Sequence, residues 1–355
     1  MQKVVIFIPT LTIGGIERVL LTYAVGLNRR DYDVKCLVPV KKENEVNISS
    51  ANIHIDYLRN SRLRYSFFEI VLYFLKNKPN VIITANDTTL IVFLANLLSF
   101  CPAKIITSHH NYFDGNLDVK WRHKFIAKYI YPFCNKIIVV SNGIFEILNS
   151  QFAIKRSKMI TIPNPIDVGS VMGYADETVM DIPEHDYVLF VGRFSAVKNL
   201  TLLLSAYKIF IEKVCDIKLV MIGDGEEAEK MHILVKEMGL YDSVILMGMK
   251  SNPYPYIKRA KLVMLSSFSE AFPVILIESL VLGRTIVSTP TYGAIDILKN
   301  GKFGYLSKSL LSVTDFAEKM IIAYENQLDE TFLFKEAVSS YGLEEKITVL
   351  EKILE

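Results

Sequence analysis

Short, nearly unbroken apolar runs recur along the chain at 4–8, 35–38, 81–84, 104–108 and 137–141, and the stretches between them carry apolar residues at helical spacing. A strand buried on both faces needs such a run rather than an alternation, so the pattern predicts βα units around a mostly parallel sheet. A second series restarts at 187–191 and continues at 218–222, 244–247, 262–265 and 285–288. The fold class is therefore α/β, with two Rossmann-like sheets. The interval from Pro163-Asn164-Pro165-Ile166-Asp167 to Asp181-Ile182-Pro183-Glu184 is rich in breakers and reads as the connection. The expected division is a first domain over 1–168, a linker over 169–185 and a second domain over 186–339. An amphipathic helix within 340–355 is expected to pack back on the first domain.

A chain of 355 residues, 51% apolar, exceeds one comfortable hydrophobic core and suits two domains. The best candidate for a membrane span, 81–100, is interrupted by Asn86-Asp87, and 274–287 carries Glu278 and Arg284. The first apolar run stops at Pro9 with no small-residue cleavage pattern after it, so a secretory signal is not expected and the protein is placed in the cytosol. Cys36, Cys101, Cys134 and Cys215 are far apart in sequence and have no metal-ligand spacing, which predicts buried thiols and no metal site. Net charge is only +2, yet residues 1–165 hold 21 Lys+Arg against 11 Asp+Glu and the remainder 19 against 27. The first domain is expected to meet something anionic, such as a membrane surface, a lipid pyrophosphate or an acidic glycan. No recognition motif accompanies the charge, so nucleic acid is not expected.

The densest candidate chemistry is the segment from Ser269 to Leu280, where Glu270 and Glu278 flank Ala271-Phe272-Pro273-Val274-Ile275. It follows the run at 262–265, which puts Glu270 in the loop at a strand's C-terminal end and Glu278 on the next helix, at the ligand edge of an open α/β sheet. Backbone N–H groups from about Phe272 to Ile275 then point out of a helix N-terminus, where an anion such as phosphate is favoured. Arg193 and Lys198, in the turn after 187–191, can aim at the same edge and suit a diphosphate. Gly223-Asp224-Gly225 is either an ordinary βα turn or one that lets backbone approach a ligand. Gly14-Gly15 follows the first strand and could close over phosphate, but the full G-x-G-x-x-G spacing is missing, which argues against a nicotinamide site. His109-His110-Asn111, at another strand end, reads as exposed and functional.

Taken in order, Gly14-Gly15-Ile16-Glu17-Arg18, Ser108-His109-His110-Asn111, Pro163-Asn164-Pro165-Ile166-Asp167, Gly192-Arg193 with Lys198-Asn199, Gly223-Asp224-Gly225 and Glu270 with Glu278 resemble glycosyltransferase family 4, the retaining GT-B enzymes. Among these the chain is most similar to enzymes of bacterial lipid-linked or capsular glycan assembly. The resemblance implies two Rossmann-like domains and transfer of a sugar from a nucleotide diphosphate sugar, by default UDP-linked with guanosine as the alternative, to a glycan or lipid-linked acceptor, without a metal. By that resemblance Glu270 would hydrogen-bond the donor sugar and Glu278 the ribose hydroxyls. Arg193 and Lys198 would hold the diphosphate, with Gly15 and the amides near Phe272, Pro273 and Val274. Met249-Lys250 would lie at the base, and His109, or His110 one residue on, would contact the transferred sugar. Retention implies front-side attack, with the leaving phosphate accepting the acceptor's proton. Ala271 stands where many relatives have glycine, and Pro273 removes one N–H donor.

On the acceptor side, Arg62 and Arg64 with Tyr65, Phe67 and Phe68, and Lys120 and Arg122 with Trp121 and Phe125, interleave cations with aromatics. They read either as membrane-surface segments or as solvated helix faces with core aromatics. The first reading places the first domain on the anionic inner face of the cytoplasmic membrane. Two other functions fit the same fold: a GT-B nucleotide-sugar epimerase, and a non-catalytic sugar-nucleotide-binding relative.

Overall fold

A computed structural model of the chain describes residues 1–11, 15–41, 53–59, 62–100, 103–111 and 121–355. It divides into two compact units, Met1–Pro165 with Leu343–Glu355, and Ile166–Gly342.

The first unit is built on seven parallel strands, β1 (Gln2–Phe7), β2 (Tyr32–Val38), β3 (His54–Tyr57), β4 (Val81–Ala85), β5 (Lys104–His109), β6 (Lys136–Val139) and β7 (Met159–Thr161), in the order β3-β2-β1-β4-β5-β6-β7. Its helices are α1 (Gly15–Asn28), α2 (Phe67–Asn77), α3 (Thr88–Leu98), α4 (Trp121–Tyr129) and α5 (Asn142–Phe152). Successive side chains of a strand point to opposite faces, and the unbroken apolar run of β1 feeds two cores. Val4 and Ile6 pack with α1, whereas Val5 and Phe7 pack with Ile70 and Phe74 of α2 and Val92 of α3.

The second unit holds six parallel strands, β8 (Tyr187–Val191), β9 (Lys218–Ile222), β10 (Val244–Leu246), β11 (Leu262–Leu265), β12 (Thr285–Ser288) and β13 (Tyr305–Leu306), in the order β10-β9-β8-β11-β12-β13. The helices are α6 (Val168–Ala175), α7 (Leu200–Ile211), α8 (Ala228–Glu237), α9 (Tyr254–Arg259), α10 (Val274–Val281), α11 (Tyr292–Ile297), α12 (Val313–Glu325) and α13 (Glu330–Tyr341). Leu202, Leu203 and Phe210 of α7 and Phe316 and Met320 of α12 cover one face of this sheet. The last helix, α14 (Leu343–Leu354), belongs to the first unit: Leu343, Ile347, Leu350 and Leu354 are buried in the α1 core. Gly26 permits that close approach, since a Cβ there would lie 2.3 Å from Cγ1 of Ile347.

The stretch expected to be a linker is not one throughout. Asp167 caps α6 by accepting from the amide of Ser170, and α6 packs on α9 and α10. Asp181 is held by Lys250 and, secondarily, by Tyr256, which keep its carboxyl below the usual range. Pro, Asp and Gly here mark a helix cap and side-chain anchors as well as breaks. Among the described residues no helix is long and apolar enough to cross a membrane.

Candidate active site

In the second unit, the loops that leave β8 and β11 are tied together at the C-terminal edge of the sheet. The amide of Phe268 donates to the Val197 carbonyl at 2.8 Å, and Ser266 Oγ donates to the Lys198 carbonyl at 2.7 Å. This crossing brings Lys198 Nζ to 2.6 Å from Oε1 of Glu270, which also accepts from Ser267 Oγ at 2.7 Å. Both charged side chains are largely enclosed, at 17% and 16% exposure. The loop is fixed from the β12 side as well. Thr289 Oγ1 donates to the Ser267 carbonyl at 2.6 Å, and the amide of Gly293 donates to the Glu270 carbonyl at 3.0 Å. A Cβ on Gly293 would stand 2.7 Å from the Ala271 carbonyl oxygen and from Cδ of Pro273. Glycine is required there because the loop lies directly on the start of α11.

Immediately beyond the loop, α10 begins after Pro273, whose side chain supplies no cap. The Leu276 amide turns back to the Pro273 carbonyl at 3.1 Å, and with no side-chain cap the amides of Val274 and Ile275 are the ones a helix N-terminus offers to water or an anion. Phe272 is buried with its ring 5.9 Å from that of Tyr341, so its side chain serves packing. Glu278, 5% exposed, lies on α10 and accepts from Tyr254 Oη at 2.8 Å. Tyr254 in turn stacks on Tyr174 of α6, with ring centroids 6.3 Å apart.

Other expected residues are placed differently. Arg193 is exposed and paired with Glu226 at 3.1 Å rather than with the Glu270 group. Lys250 is paired with Asp181, and Met249 beside it is exposed. Gly223 and Gly225 have positive φ of 151° and 155°, and a Cβ on them would lie 1.9 Å from the Gly192 carbonyl oxygen and 2.4 Å from that of Phe194. Their close approach is to the neighbouring β8 turn, which is the physical reason for glycine at both positions. Asp224 is exposed, its Oδ1 accepting from the Gly225 amide at 2.7 Å. Ser266, Ser267 and Tyr254 were missed from sequence. The only signal for the serines is a polar pair directly after the apolar β11 run.

In the first unit, the reading of His109 as exposed is overturned. Strand β5 extends through His109, which pairs in register with Val139, and the side chain is 1% exposed. Nδ1 lies 2.8 Å from Tyr131 Oη, and burial lowers the imidazole to about 3, so it is neutral at pH 7. His110 is half-buried, with Nε2 at 2.6 Å from Ser108 Oγ and its amide donating to Asn86 Oδ1; burial lowers it to about 4. Asn111 Nδ2 is 3.2 Å from Nδ1 of His123, which meets Asp87 through Nε2 at 2.7 Å. Gly15 opens α1 with nothing within 4 Å of the position of a Cβ. Gly14 and Lys120 lie outside the described residues. Arg62, Arg64 and Arg122 are exposed. Among the described residues no group of three or more His, Cys, Asp or Glu is placed to hold a metal.

Two parallel-sheet α/β units, each with its candidate groups at the C-terminal strand edge, define the GT-B class of fold. The chain is structurally similar to Anabaena HepE solved in complex with UDP and glucose, with a TM-score of 0.83 at 15% identity over 100% of this chain and 99% of that one. Residues 13–170 match the family described as Glycosyltransferase Family 4, and residues 180–349 match Glycosyl transferases group 1. Two Campylobacter jejuni proteins are similar over most of their length. One, a GalNAc-alpha-(1->4)-GalNAc-alpha-(1->3)-diNAcBac-PP-undecaprenol alpha-1,4-N-acetyl-D-galactosaminyltransferase, is 30% identical over 86% of this chain and 84% of its own. The other, an N-acetylgalactosamine-N,N'-diacetylbacillosaminyl-diphospho-undecaprenol 4-alpha-N-acetylgalactosaminyltransferase, is 27% identical over 86% of both. The chain belongs to glycosyltransferase family 4.

Proposed function

We propose that the protein transfers a hexosyl unit, with retention of configuration, from a UDP-sugar to a lipid-linked glycan acceptor in surface polysaccharide synthesis, at the cytoplasmic face of the membrane. The observation that carries the reading is the Lys198–Glu270 pair, clamped where two sheet-edge loops cross and followed at once by the open N-terminus of α10. The C. jejuni proteins named for diphospho-undecaprenol acceptors support the acceptor class, and the UDP and glucose complex of HepE supports the donor class.

In this reading Lys198 and the first amides of α10 take the diphosphate, whose negative charge grows as the bond from C1 to the phosphate oxygen breaks with its electron pair. Groups already aimed at that charge stabilise the transition state more than the ground state. Arg193 leaves Glu226 to join them, an exchange that an exposed ion pair permits at little cost. Once Lys198 turns to phosphate, the carboxylate of Glu270 accepts from a sugar hydroxyl, with Ser267 holding its orientation. Glu278 accepts from the ribose hydroxyls, and the base sits near Met249 and Lys250. The acceptor hydroxyl attacks C1 on the face the diphosphate is leaving, and its proton passes to a phosphate oxygen. Lys198 and the amides supply the positive charge, so turnover in excess chelator is expected to be undiminished. In the first unit, His110 and Asn111 are the polar groups offered at the β5 edge, because burial leaves His109 no surface to present.

The test is a panel of UDP- and GDP-sugars screened by thermal stabilisation. Transfer to a short-chain prenyl diphosphate glycan and assignment of the new anomeric centre by NMR follow. Preference for a GDP-sugar, an inverted product, or epimerised sugar nucleotide formed without acceptor would each overturn the reading.

A further inference from the structure

Helices α2, α3 and α4 follow crossovers that run in one direction across the sheet, which places them on the face opposite α1 and α14. Each buries one apolar stripe against the sheet and exposes a second. On α2, Phe68, Leu72 and Leu75 recur at helical spacing on the outer side, while Ile70 and Phe74 point inward. On α3, Leu97 and Leu98 are exposed and Phe100 just beyond is 91% exposed. On α4, Trp121, Phe125 and Tyr129 form a row of touching rings, with centroids 6.3 and 5.0 Å apart. Phe133, just beyond α4 and also exposed, has its ring 6.0 Å from that of Phe93 on α3. A surface helix in a globular domain shows polar residues on this side. Among the described residues, more than half of the exposed large apolar side chains lie on this one layer.

We propose that this α2–α3–α4 layer is a docking surface for an anionic lipid bilayer, with the leucines and aromatics entering the interface and the surrounding cations meeting the headgroups. Charge complementarity favours a bilayer. Residues 62–100 and 121–133 hold seven Lys and Arg and only two acids, Glu69 and Asp87. Both acids are engaged, Glu69 by the Arg59 amide and Asp87 by His123. Arg64 lies over the ring of Tyr65 at 4.7 Å and Lys128 over that of Tyr129 at 5.3 Å, the pairing of aromatic body and cationic head that suits a membrane–water boundary. One end of the layer opens into a cleft of about 690 Å³ walled by Phe74, Leu75 and Phe100, with Lys78 on its rim and Lys104 donating to the Leu354 and Glu355 backbone oxygens. Apolar walls beside the Lys78 ammonium match an anionic lipid. The surface deepens the reading of a lipid-linked acceptor, since it would hold the enzyme where such acceptors lie.

Trp121 is the one tryptophan of the chain and is 73% exposed, so the native protein carries its own probe. With vesicles of phosphatidylglycerol at low salt, the full chain is expected to float with the lipid, its emission to shift to the blue, and bromine-labelled acyl chains to quench it. Phosphatidylcholine vesicles should give none of these. The L97E/F100E double variant should lower the bound fraction about tenfold or more, because two apolar groups are withdrawn and two like-charged groups face the headgroups. I233E, at an exposed apolar site in the second unit, should bind as the native protein does. Turnover with a short-chain, water-soluble acceptor should be unchanged in L97E/F100E, so that failure of docking and failure of the transferase reading are separable. Flotation without tryptophan quenching, binding undiminished in L97E/F100E, or self-association in light scattering with no vesicle binding would each overturn the proposal.

Discussion

Replacing Gly293 by alanine removes no charged or hydrogen-bonding group, yet it tests whether the site depends on the exact seating of the Glu270 loop. The added Cβ would stand 2.7 Å from both the Ala271 carbonyl oxygen and Cδ of Pro273, about 0.7 Å inside the 3.4 Å at which ordinary contact begins. Neither neighbour is the free end of a flexible side chain, so the loop itself must lift from α11. The Gly293 amide bond to the Glu270 carbonyl, 3.0 Å long, lengthens with it. Overpacking of this kind costs about 1–3 kcal/mol, and a shift approaching 1 Å in a positioned reactive group costs about a hundredfold in rate. Alanine otherwise favours a helix over glycine, so any loss comes from the steric term. The expected result is a fall of about a hundredfold in kcat at saturating donor, with a modest drop in thermal midpoint. Unchanged kcat in a folded G293A protein would refute the idea that this loop is held rigidly by the β12–α11 junction.

Substituting Lys198 by methionine keeps most of the stem volume and removes the ammonium; kcat at saturating donor is expected to fall about 10²–10³-fold, as for loss of one preorganised charge stabiliser. Activity within a few-fold of native would exclude Lys198 from the leaving-group site. His109 and His110, lowered to about 3 and about 4 in the folded chain from 6.5, bind protons more readily when unfolded. Their stabilisation is complete above pH 6.5 and is lost as pH falls, each by up to about 1.4 kcal/mol per pH unit down to its folded value. Urea unfolding followed from pH 7.5 to pH 5 should show this slope, and H109Q should flatten it by about half of the histidine share; an identical slope in H109Q would contradict the burial argument.

Most strands legible in sequence carry apolar runs buried on both faces, such as the runs of β1 and β8, although the edge strand β10, only partly buried, was also legible from Val244-Ile245-Leu246. The strands that went unread, β3, β7 and β13, all lie at sheet edges. In β3 the polar His54 and Asp56 interrupt any apolar run and every residue keeps some exposure, while β13 spans two residues only. An edge strand has one neighbour and one partly solvated face, so it needs no unbroken apolar signature. His109 shows the opposite case. Its polarity suggested exposure, but pairing of β5 with β4 on one side and β6 on the other, with Tyr131 across from the ring, encloses it.

Sequence alone determined the α/β class, the position of Glu270 in a loop after β11 and of Glu278 on the helix beyond it, and the presence of Lys198 in the turn after β8. These follow from local periodicity and from the order of strand, loop and helix. Only the tertiary structure decided that Lys198 meets Glu270 while Arg193 turns to Glu226. It also decided that Gly223 and Gly293 are small because neighbouring loops press on them, and that three helices of the first unit present apolar faces outward. Those outcomes depend on strand order and on contacts between residues tens of positions apart, which no local pattern along the chain encodes.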